Sequence, residues 1–378
     1  AISIASRSYS RDEVLSILDP LVAEWFSIYP DLTPPQRYAV VSISEGRSTL
    51  IASPTGSGKT LSAFLSIISE LVKAGREGRL EDKVYCVYVS PLRSLNNDIY
   101  KNLLIPLSSI NRLAESKGVR PPEIRVGVRT GDTTSSERAR MLKKPPHILI
   151  TTPESIAIML CAPKFREKLR GVRWVIVDEI HELCSSKRGV HLTLSIERLQ
   201  ELCDRPFARI GLSATIHPLE EVARFLVGYE DGVERDCVVA DTRFVKPTEI
   251  VVTSPVSDLV HTPATKVTDK MYSLLKRLVK RHKTTLIFTN TRSGTERVVY
   301  HLSKLNAVDA DELAAHHSSL ARETRMDVEN RLKEGRMKAV VTSTSLELGI
   351  DIGHVDFVIQ YNSPREVRRL IQRIGRSG

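Results

Sequence analysis

The chain has 378 residues, 41% of them hydrophobic and 26% charged, and its formal net charge at pH 7 is +10. A chain of this length and composition buries a large core, which excludes intrinsic disorder and predicts about two domains. The positive charge suits a partner that carries phosphates but does not identify one. No apolar run approaches the ~20 residues that span a bilayer, and the 5 cysteines form no C-x-x-C pair. We therefore expect a cytoplasmic protein without a disulfide framework or a membrane partner.

Short β-branched apolar runs alternate with longer helix-patterned segments along the whole chain. This alternation predicts an α/β fold, with parallel sheets wrapped by helices. In the first part the predicted strands are 48–53, 84–90, 124–128, 147–152, 174–179 and 209–215. In the second part they are 249–253, 284–290, 313–317, 338–344 and 357–362. The stretch VVADTRFVKPTE separates the two sets and is polar after Ala240, so we predict two domains of similar design, 1–241 and 242–378.

The segment SPTGSGKT, from Ser53 to Thr60, lies between the first predicted strand and a helix-patterned segment. This is the context of a phosphate-binding loop, in which glycines allow a tight turn and successive N–H groups point at phosphate oxygens. Ser53 stands where the usual pattern has its first glycine. Lys59 is predicted to reach the β- and γ-phosphates, and the Thr60 hydroxyl to join a Mg²⁺ shell. We therefore predict that ATP and Mg²⁺ bind here, with contacts from Thr55, Gly56, Ser57, Gly58, Lys59 and Thr60.

The segment VIVDEIHEL places Asp178 and Glu179 at the carboxyl end of a predicted strand, where open α/β sheets present ligand-binding groups. Asp178 suits the Mg²⁺ shell, and Glu179 suits a general base that deprotonates the attacking water. A phosphate loop alone would fit a kinase or a transport ATPase equally well. Two adjacent carboxylates can divide the work, one binding the metal and the other acting as the base. We therefore interpret the pair as a site for triphosphate hydrolysis and not as residues that only cap the next helix.

The tetrad D-E-I-H, Asp178 to His181, followed by SAT at 213–215, resembles the superfamily 2 helicases of the DExH type. The resemblance covers nearly the whole chain, because LTPPQRYA, PLRSL, TGDT, TTPES, FTNTR, HHSSL, TSTSLELGIDIG and QRIGRSG follow the family's order. DEIHEL, HHSSL, SLELGIDIG and QRIGRSG together are most similar to the large-helicase-related (Lhr) proteins. The resemblance implies two tandem RecA-like parallel-sheet domains, with the nucleotide site in the cleft between them.

The resemblance also assigns residues to the nucleotide site beyond the phosphate loop. His181 belongs to the catalytic tetrad, and Gln372 matches a residue that contacts the γ-phosphate or the attacking water. Arg376 matches an arginine finger, which stabilises charge on the transferring phosphoryl group and is worth ~10³ to 10⁵ in rate. The other expected nucleotide contacts are Gln36, which matches a glutamine that reads adenine, Gly349 and Asp351.

Single-stranded or forked nucleic acid is the partner that the resemblance implies, lying across both domains. Its phosphates would be held by hydroxyls, backbone N–H groups and arginines, contacts that position the polymer without reading its sequence. Binding should therefore tolerate any sequence and weaken steeply with salt. The expected contacts are Arg93, Thr130, Gly131, Asp132, Thr152, Pro153, Ser155, Thr291, Arg292, His317 and Thr344.

Phosphate contacts do not separate DNA from RNA. The resemblance to Lhr proteins favours DNA or an RNA–DNA hybrid, travel from 3′ to 5′, and a role in repair or remodelling. One alternative is an ATP-switched single-strand clamp, or an RNA helicase or RNP remodeller, without processive unwinding by this part of the chain. A phosphotransferase or transport ATPase that shares only the phosphate loop would hydrolyse ATP regardless of nucleic acid.

The last helix-patterned segment begins near Arg365 and runs into QRIGRSG, where the sequence stops at Gly378. Its apolar residues share one face, which we expect to cover the core of the second domain. This face consists of Val367, Leu370, Ile371 and Ile374. The remaining surface is expected to carry Arg365, Arg369, Gln372, Arg373 and Arg376. Because related helicases continue past this motif, we also expect further C-terminal domains.

Overall fold

The computed structural model describes residues 1–54, 56–91, 99–214, 218–243, 249–343, 345–346 and 355–376. The chain divides into two compact units, Ala1–Lys246 and Pro247–Gly378. The sequence places this division slightly earlier, between residues 241 and 242. Each unit has its own sheet and its own apolar core.

The first unit is built on parallel strands. Its strands are β1 (Ile2–Ile4), β2 (Thr49–Ala52), β3 (Cys86–Val89), β4 (Val126–Arg129), β5 (Ile148–Thr151), β6 (Trp174–Val177), β7 (Ala208–Ser213), β8 (Tyr229–Glu230), β9 (Val233–Glu234) and β10 (Cys237–Asp241). Eight of them form one parallel sheet in the order β1-β10-β2-β7-β6-β3-β5-β4, and β8 and β9 form a small antiparallel pair. The central strands β3, β5 and β6 are fully buried and almost entirely apolar, as a sheet covered on both faces requires.

Helices cover both faces of this sheet. They are α1 (Arg11–Ile17), α2 (Pro20–Phe26), α3 (Pro34–Ser44), α4 (Lys59–Arg76), α5 (Ile105–Ser116), α6 (Ser135–Lys143), α7 (Pro153–Cys161), α8 (Pro163–Arg166), α9 (Ile180–Leu183), α10 (Lys187–Leu202) and α11 (Leu219–Val227). Successive residues of a strand enter different core layers, because side chains alternate across a sheet. Tyr88 packs with α4 in one layer, and Val87 packs with α7 and α10 in the other.

The second unit has a smaller parallel sheet. Its strands are β11 (Thr285–Phe288), β12 (Leu313–His316), β13 (Ala339–Thr342) and β14 (Phe357–Gln360), in the order β12-β13-β11-β14. Its helices are α12 (Ala264–Arg281), α13 (Arg292–Lys304), α14 (Arg322–Lys333) and α15 (Val367–Ile374). The alternation of strands and helices predicted from the sequence is therefore confirmed in both units.

Two parts of the strand prediction are wrong. The first is the set of strands that the sequence does not predict: β1 and β10, which lie at one edge of the larger sheet, and the short pair β8 and β9. The second is 249–253, which is predicted as a strand but has no strand pairing within the described part of the chain. Val252 there is 95% exposed. Its β-branched residues favour a strand only where a neighbouring strand and a core are available to pack against.

The orientation predicted for the last helix is also wrong. Val367 of α15 is 74% exposed, whereas Arg373 is fully buried and Arg376 is nearly so. Leu370, Ile371 and Ile374, which were expected to cover the core, are only partly buried. Periodicity identifies the side chains that share a helix face, but it does not establish which face is covered.

Candidate functional site

The predicted phosphate loop turns between the end of β2 and the start of α4. Gly56 and Gly58 have φ of +78° and +84°, in the left-handed region that glycine adopts without a steric penalty. A Cβ added to Gly58 would lie 3.1 Å from Oγ1 of Thr33, which leaves little room for another residue. The Ser53 hydroxyl donates to the Ser57 hydroxyl at 2.5 Å. Ser53 thus ties the start of the loop to its middle, at the position where the usual pattern has a glycine.

Lys59 is the first residue of α4, and its side chain is buried. Its ammonium group has no hydrogen-bond partner among the residues that the structure describes. A buried cation costs free energy until an anion pairs with it. The N-terminus of α4 adds partial positive charge at the same point, and the buried Thr60 follows directly. This arrangement fits a phosphate group.

Asp178 and Glu179 follow β6 and are both buried. One carboxylate oxygen of Asp178 accepts a hydrogen bond from the Tyr88 hydroxyl, and the other accepts from the Glu179 N–H at 2.8 Å. Glu179 has a φ of +47°, a strained value for a residue with a side chain. It occupies the N-cap position of α9, yet its side chain makes no capping hydrogen bond. Helix capping therefore does not explain its carboxylate.

His181 connects this pair to the end of β7. Its Nδ1 accepts a hydrogen bond from the Ala214 N–H at 3.2 Å, so Nδ1 carries no proton in this arrangement. Nε2 lies 3.3 Å from Oε2 of Glu179 and 3.6 Å from Oε1 of Glu182. The imidazole N–H at Nε2 is thus directed at two carboxylates, while the other nitrogen is held by the S-A-T segment.

The strand order brings these groups to one edge of the sheet. β2, β7 and β6 are neighbours, and their carboxyl ends carry the phosphate loop, the S-A-T segment and the carboxylate pair, respectively. The Ser53 N–H donates to the Ser213 carbonyl at 3.1 Å, which joins the first two directly. The sequence predicts Lys59, Asp178, Glu179 and His181 as one site, and within the first unit they follow the carboxyl ends of β2 and β6, which are separated by β7 alone.

Gln36 lies in the first turn of α3 and is buried. Its side-chain oxygen accepts a hydrogen bond from the Thr33 N–H at 2.8 Å, so it caps its own helix. Thr33 in turn packs against Gly58 of the phosphate loop. The glutamine expected to read adenine is thereby connected to the loop through Thr33.

The predicted nucleic-acid contacts of the first unit lie at the ends of β4 and β5, which are neighbouring strands. After β5, Thr152 and Ser155 are buried and joined by their hydroxyls at 3.0 Å, with Pro153 between them. After β4, the Thr130 hydroxyl accepts from the Asp132 N–H at 3.3 Å, and Asp132 and Gly131 are exposed. Several of the hydroxyl groups that were expected to bind phosphate therefore form hydrogen bonds within these two turns.

In the second unit, Thr291 caps α13 by accepting a hydrogen bond from the Gly294 N–H at 3.0 Å. The guanidinium of Arg292 donates to the Ser318 hydroxyl at 3.0 Å, beside the second histidine of HHSSL. That histidine, His317, is buried, and its Nε2 lies 2.7 Å from Oε1 of Glu296. Arg292 and His317, which are separated in sequence, therefore lie near each other within the second unit.

The fully buried guanidinium of Arg373 is held between side chains of the second sheet. It donates to Oε1 of Gln360 at 2.9 Å and to Oδ1 of Asn290 at 3.4 Å. Its central carbon lies 5.1 Å from the centre of the Phe288 ring. Arg373 therefore anchors α15 to β11 and β14, and so positions Gln372 on the helix and Arg376 just after its end.

Five predicted site residues lie outside the described part of the chain. They are Thr55, Arg93, Thr344, Gly349 and Asp351.

Two other residues that contact the site were not predicted from the sequence. Tyr88 could not be found, since its contact depends on the order of strands in the sheet. Glu182 could have been identified from the sequence, because it lies three residues after Glu179 and on the same helix as His181.

Within the described residues, no helix is long and apolar enough to cross a membrane. No cluster of three or more His, Cys, Asp or Glu side chains with metal-binding geometry occurs among them either. The first histidine of HHSSL, His316, lies 2.7 Å from the Ser345 hydroxyl and 3.1 Å from Oε1 of Glu329.

Comparison with known protein families gives two matches. Residues 33–224 match the DEAD/DEAH box helicase family, and residues 267–378 match the helicase conserved C-terminal domain. Together they cover both units of the chain. The two parallel sheets are those of tandem RecA-like domains, which confirms the fold class inferred from the motifs.

The most similar proteins include ATP-dependent helicase Lhr-Core of Methanothermobacter thermautotrophicus, which is 58% identical over 98% of this chain and 43% of its own length. Lhr-Core protein 2 of Thermococcus barophilus is 57% identical over 100% of this chain and 44% of its own length. The structure of Mycobacterium smegmatis helicase Lhr bound to ssDNA and AMP-PNP superposes with a TM-score of 0.76 at 41% identity, over 96% of this chain and 46% of that one. The chain thus spans less than half the length of these relatives, and the resemblance to Lhr proteins is confirmed.

Proposed function

Because the chain belongs to the DEAD/DEAH box helicase family, we propose that it hydrolyses ATP in order to move along single-stranded nucleic acid. The observation that carries this proposal is the buried, unpartnered ammonium of Lys59 among the described residues, with two buried carboxylates at the end of a nearby strand. A site that concentrates positive charge for phosphates beside a metal-binding carboxylate and a base suits phosphoryl transfer to water.

Thr60 and Asp178 would hold Mg²⁺. Both offer oxygen ligands, and both lie at the sheet edge that carries the phosphate loop. Magnesium bound with a nucleotide takes most of its ligands from phosphates and water, so one carboxylate and one hydroxyl from the protein are sufficient. When bound, the ion neutralises charge on the β- and γ-phosphates. Tyr88 and the Glu179 N–H keep the Asp178 carboxylate oriented, since each donates to one of its oxygens.

Glu179 would be the base for the attacking water. Its left-handed backbone turns the residue away from a regular helix start, and the Nε2–H of His181 is directed at one carboxylate oxygen. A carboxylate at this position is the group that would accept a proton from water. His181 also holds the Ala214 N–H, so a movement of the S-A-T segment would shift the imidazole and with it the base. This connection gives a physical route for coupling hydrolysis to polymer binding.

Arg376 and Gln372 are proposed to act on the γ-phosphate and the attacking water, as the motif implies. Arg373 would act indirectly, because it is buried against Asn290 and Gln360 and holds α15 in place. The guanidinium that stabilises the transition state would therefore be Arg376.

The proposed polymer is single-stranded or forked DNA, with RNA or an RNA–DNA hybrid as alternatives, and the direction of travel is 3′ to 5′. The mycobacterial relative bound to ssDNA and AMP-PNP supports DNA. Repair or remodelling is the proposed setting. Contacts from Thr130, Arg292 and His317 would hold phosphates without reading bases.

Hydrolysis of ATP by this chain should be stimulated by oligothymidine, by oligouridine or by both, and Lys59→Ala should reduce it to background. The measurement is the initial hydrolysis rate with each polymer and with none. The better polymer identifies the preferred substrate. Hydrolysis that is equal with and without polymer would contradict the motor proposal. ATP-dependent polymer binding without stimulated turnover would indicate a clamp instead.

Gly58→Ala is expected to weaken binding of AMP-PNP by about tenfold. Alanine at a φ of +84° costs about 1–2 kcal/mol, and its Cβ would press against Thr33. Isothermal titration calorimetry measures the change. Gly46→Ala is the matched control, because Gly46 has a similar φ of +76° and an added Cβ there meets no atom within 4 Å. Equal affinity of the Gly58→Ala and wild-type proteins would show that the loop is not the phosphate site.

A further inference from the structure

Arg129 is the last residue of β4 and precedes the T-G-D-T segment. Its guanidinium lies over the ring of Phe165, with 4.3 Å between its central carbon and the ring centre. Phe165 belongs to α8 and is buried, so the ring forms a fixed support beneath the guanidinium. Stacking of this kind orients the planar group and leaves its N–H donors available at the edges.

Arg138 lies on α6, which follows the T-G-D-T segment and has no buried residue. Its guanidinium lies 3.4 Å from the carbonyl oxygen of Gly131, only two residues after Arg129. The pKa of Arg129 lies below its usual value, first because burial disfavours the charged form and second because of the positive charge of Arg138. Two positive charges therefore lie near each other at the end of β4.

Within the described part of the chain, neither arginine forms an ion pair with a carboxylate. Arg138 donates only a long hydrogen bond of 3.4 Å to the Gly131 carbonyl. Glu137 is the acidic residue beside it in sequence, but its carboxylate accepts from both the N–H and the hydroxyl of Thr134. By contrast, nearby Arg125 is paired with Asp82 at 2.8 Å. Arg129 and Arg138 thus both carry a positive charge that no carboxylate of the described residues pairs with.

We propose that Arg129 and Arg138 together bind one phosphate of the single-stranded nucleic acid, directly beside the T-G-D-T turn. This inference rests on the proposed function and extends it to two residues that no motif assigns. The position favours a polymer over a free anion. The Thr151 hydroxyl donates to the Arg129 carbonyl at 2.7 Å, which links Arg129 to the start of T-T-P-E-S. Both predicted contact turns of the first unit therefore lie next to the pair.

The test is the affinity for fluorescent oligothymidine, measured by anisotropy in the presence of AMP-PNP over a range of NaCl concentrations. Loss of one phosphate contact lowers the slope of log affinity against log salt by about 0.7, or about fivefold in affinity at 0.1 M salt. We expect this change for Arg138→Gln and for Arg129→Gln. Because both arginines would hold the same phosphate, the double variant should lose little more than either single variant.

Arg140→Gln is the matched control. Arg140 is exposed on the same helix, about 200° around its axis from Arg138, and should leave the slope unchanged. Thermal melting checks that Arg129→Gln is folded, and Arg138→Gln decides the outcome alone if it is not. A further measurement adds inorganic phosphate at constant ionic strength, which distinguishes a site for free anions from a site for the polymer. Millimolar phosphate would saturate a free-anion site, and the arginine pair would then no longer contribute to the slope.

A slope that is unchanged in Arg138→Gln, or lowered equally in Arg140→Gln, would overturn the proposal while leaving the motor intact. Saturation by inorganic phosphate would also overturn it. A wild-type protein that binds no oligothymidine or oligouridine would overturn the proposed function itself.

Discussion

Glu179→Gln is expected to lower ATP turnover by about 10²- to 10⁴-fold while AMP-PNP binding stays near the wild-type level, because the change removes a general base and little else. Glutamine has the same shape as glutamate, and its side-chain oxygen can still accept the Nε2–H of His181. It cannot take a proton from water. The measurements are single-turnover hydrolysis and AMP-PNP affinity by calorimetry.

Glu182→Gln is the control for this change. Its carboxylate also faces Nε2 of His181, at 3.6 Å, so the substitution alters the same imidazole without touching the proposed base. A small effect for Glu182→Gln and a large one for Glu179→Gln would assign the base. If the Glu179→Gln protein hydrolyses ATP within tenfold of the wild-type rate, Glu179 is not the base.

Arg376→Ala is expected to reduce kcat by about 10³- to 10⁵-fold, the range that an arginine finger supplies. Arg373→Ala should lower the stability of the second unit, because the Asn290 and Gln360 side chains lose a charged donor. A hydrogen bond to a charged group contributes about 1.5–3 kcal/mol, so we expect a loss of at least ~2 kcal/mol. Turnover at saturating ATP and urea unfolding separate the two effects.

The substitutions of Arg376 and Arg373 should thus have opposite effects: the first lowers turnover, and the second lowers stability. The Arg376→Ala protein should unfold at nearly the wild-type urea concentration and hydrolyse ATP poorly. An Arg376→Ala protein with normal kcat would show that the finger is another residue. An Arg373→Ala protein as stable as wild type would show that the buried contacts of Arg373 do not hold α15.

The residues of the proposed nucleotide site could be placed from the sequence more directly than the residues that support them. Lys59, Asp178 and Glu179 belong to motifs in which a short local pattern determines the turn, so their positions could be inferred directly. Tyr88 and Phe165 contribute through contacts between elements that are distant in sequence. Such contacts depend on strand order and helix packing, which local pattern does not determine.

The fold shows the same distinction. Long apolar strands between helices were predicted because two-sided burial leaves a clear pattern. β1 is three residues long and mostly exposed, and its strand character depends on β10 beside it. In α15, Arg373 is buried more deeply than the aliphatic side chains, because the polar partners that Arg373 needs lie on β14 and just after β11.

The pairing of β1 with β10 has a consequence for synthesis of the chain. Ile2 pairs with Cys237, and β10 also separates β1 from β2, so the N-terminal strand has no place in the sheet until Asp241 has left the ribosome. Translation at about 5–20 residues per second leaves this segment unpaired for roughly tens of seconds. Its hydrophobic residues would be accessible to chaperones throughout that interval. The sheet of the first unit therefore cannot be completed until its last strand, β10, has been synthesised.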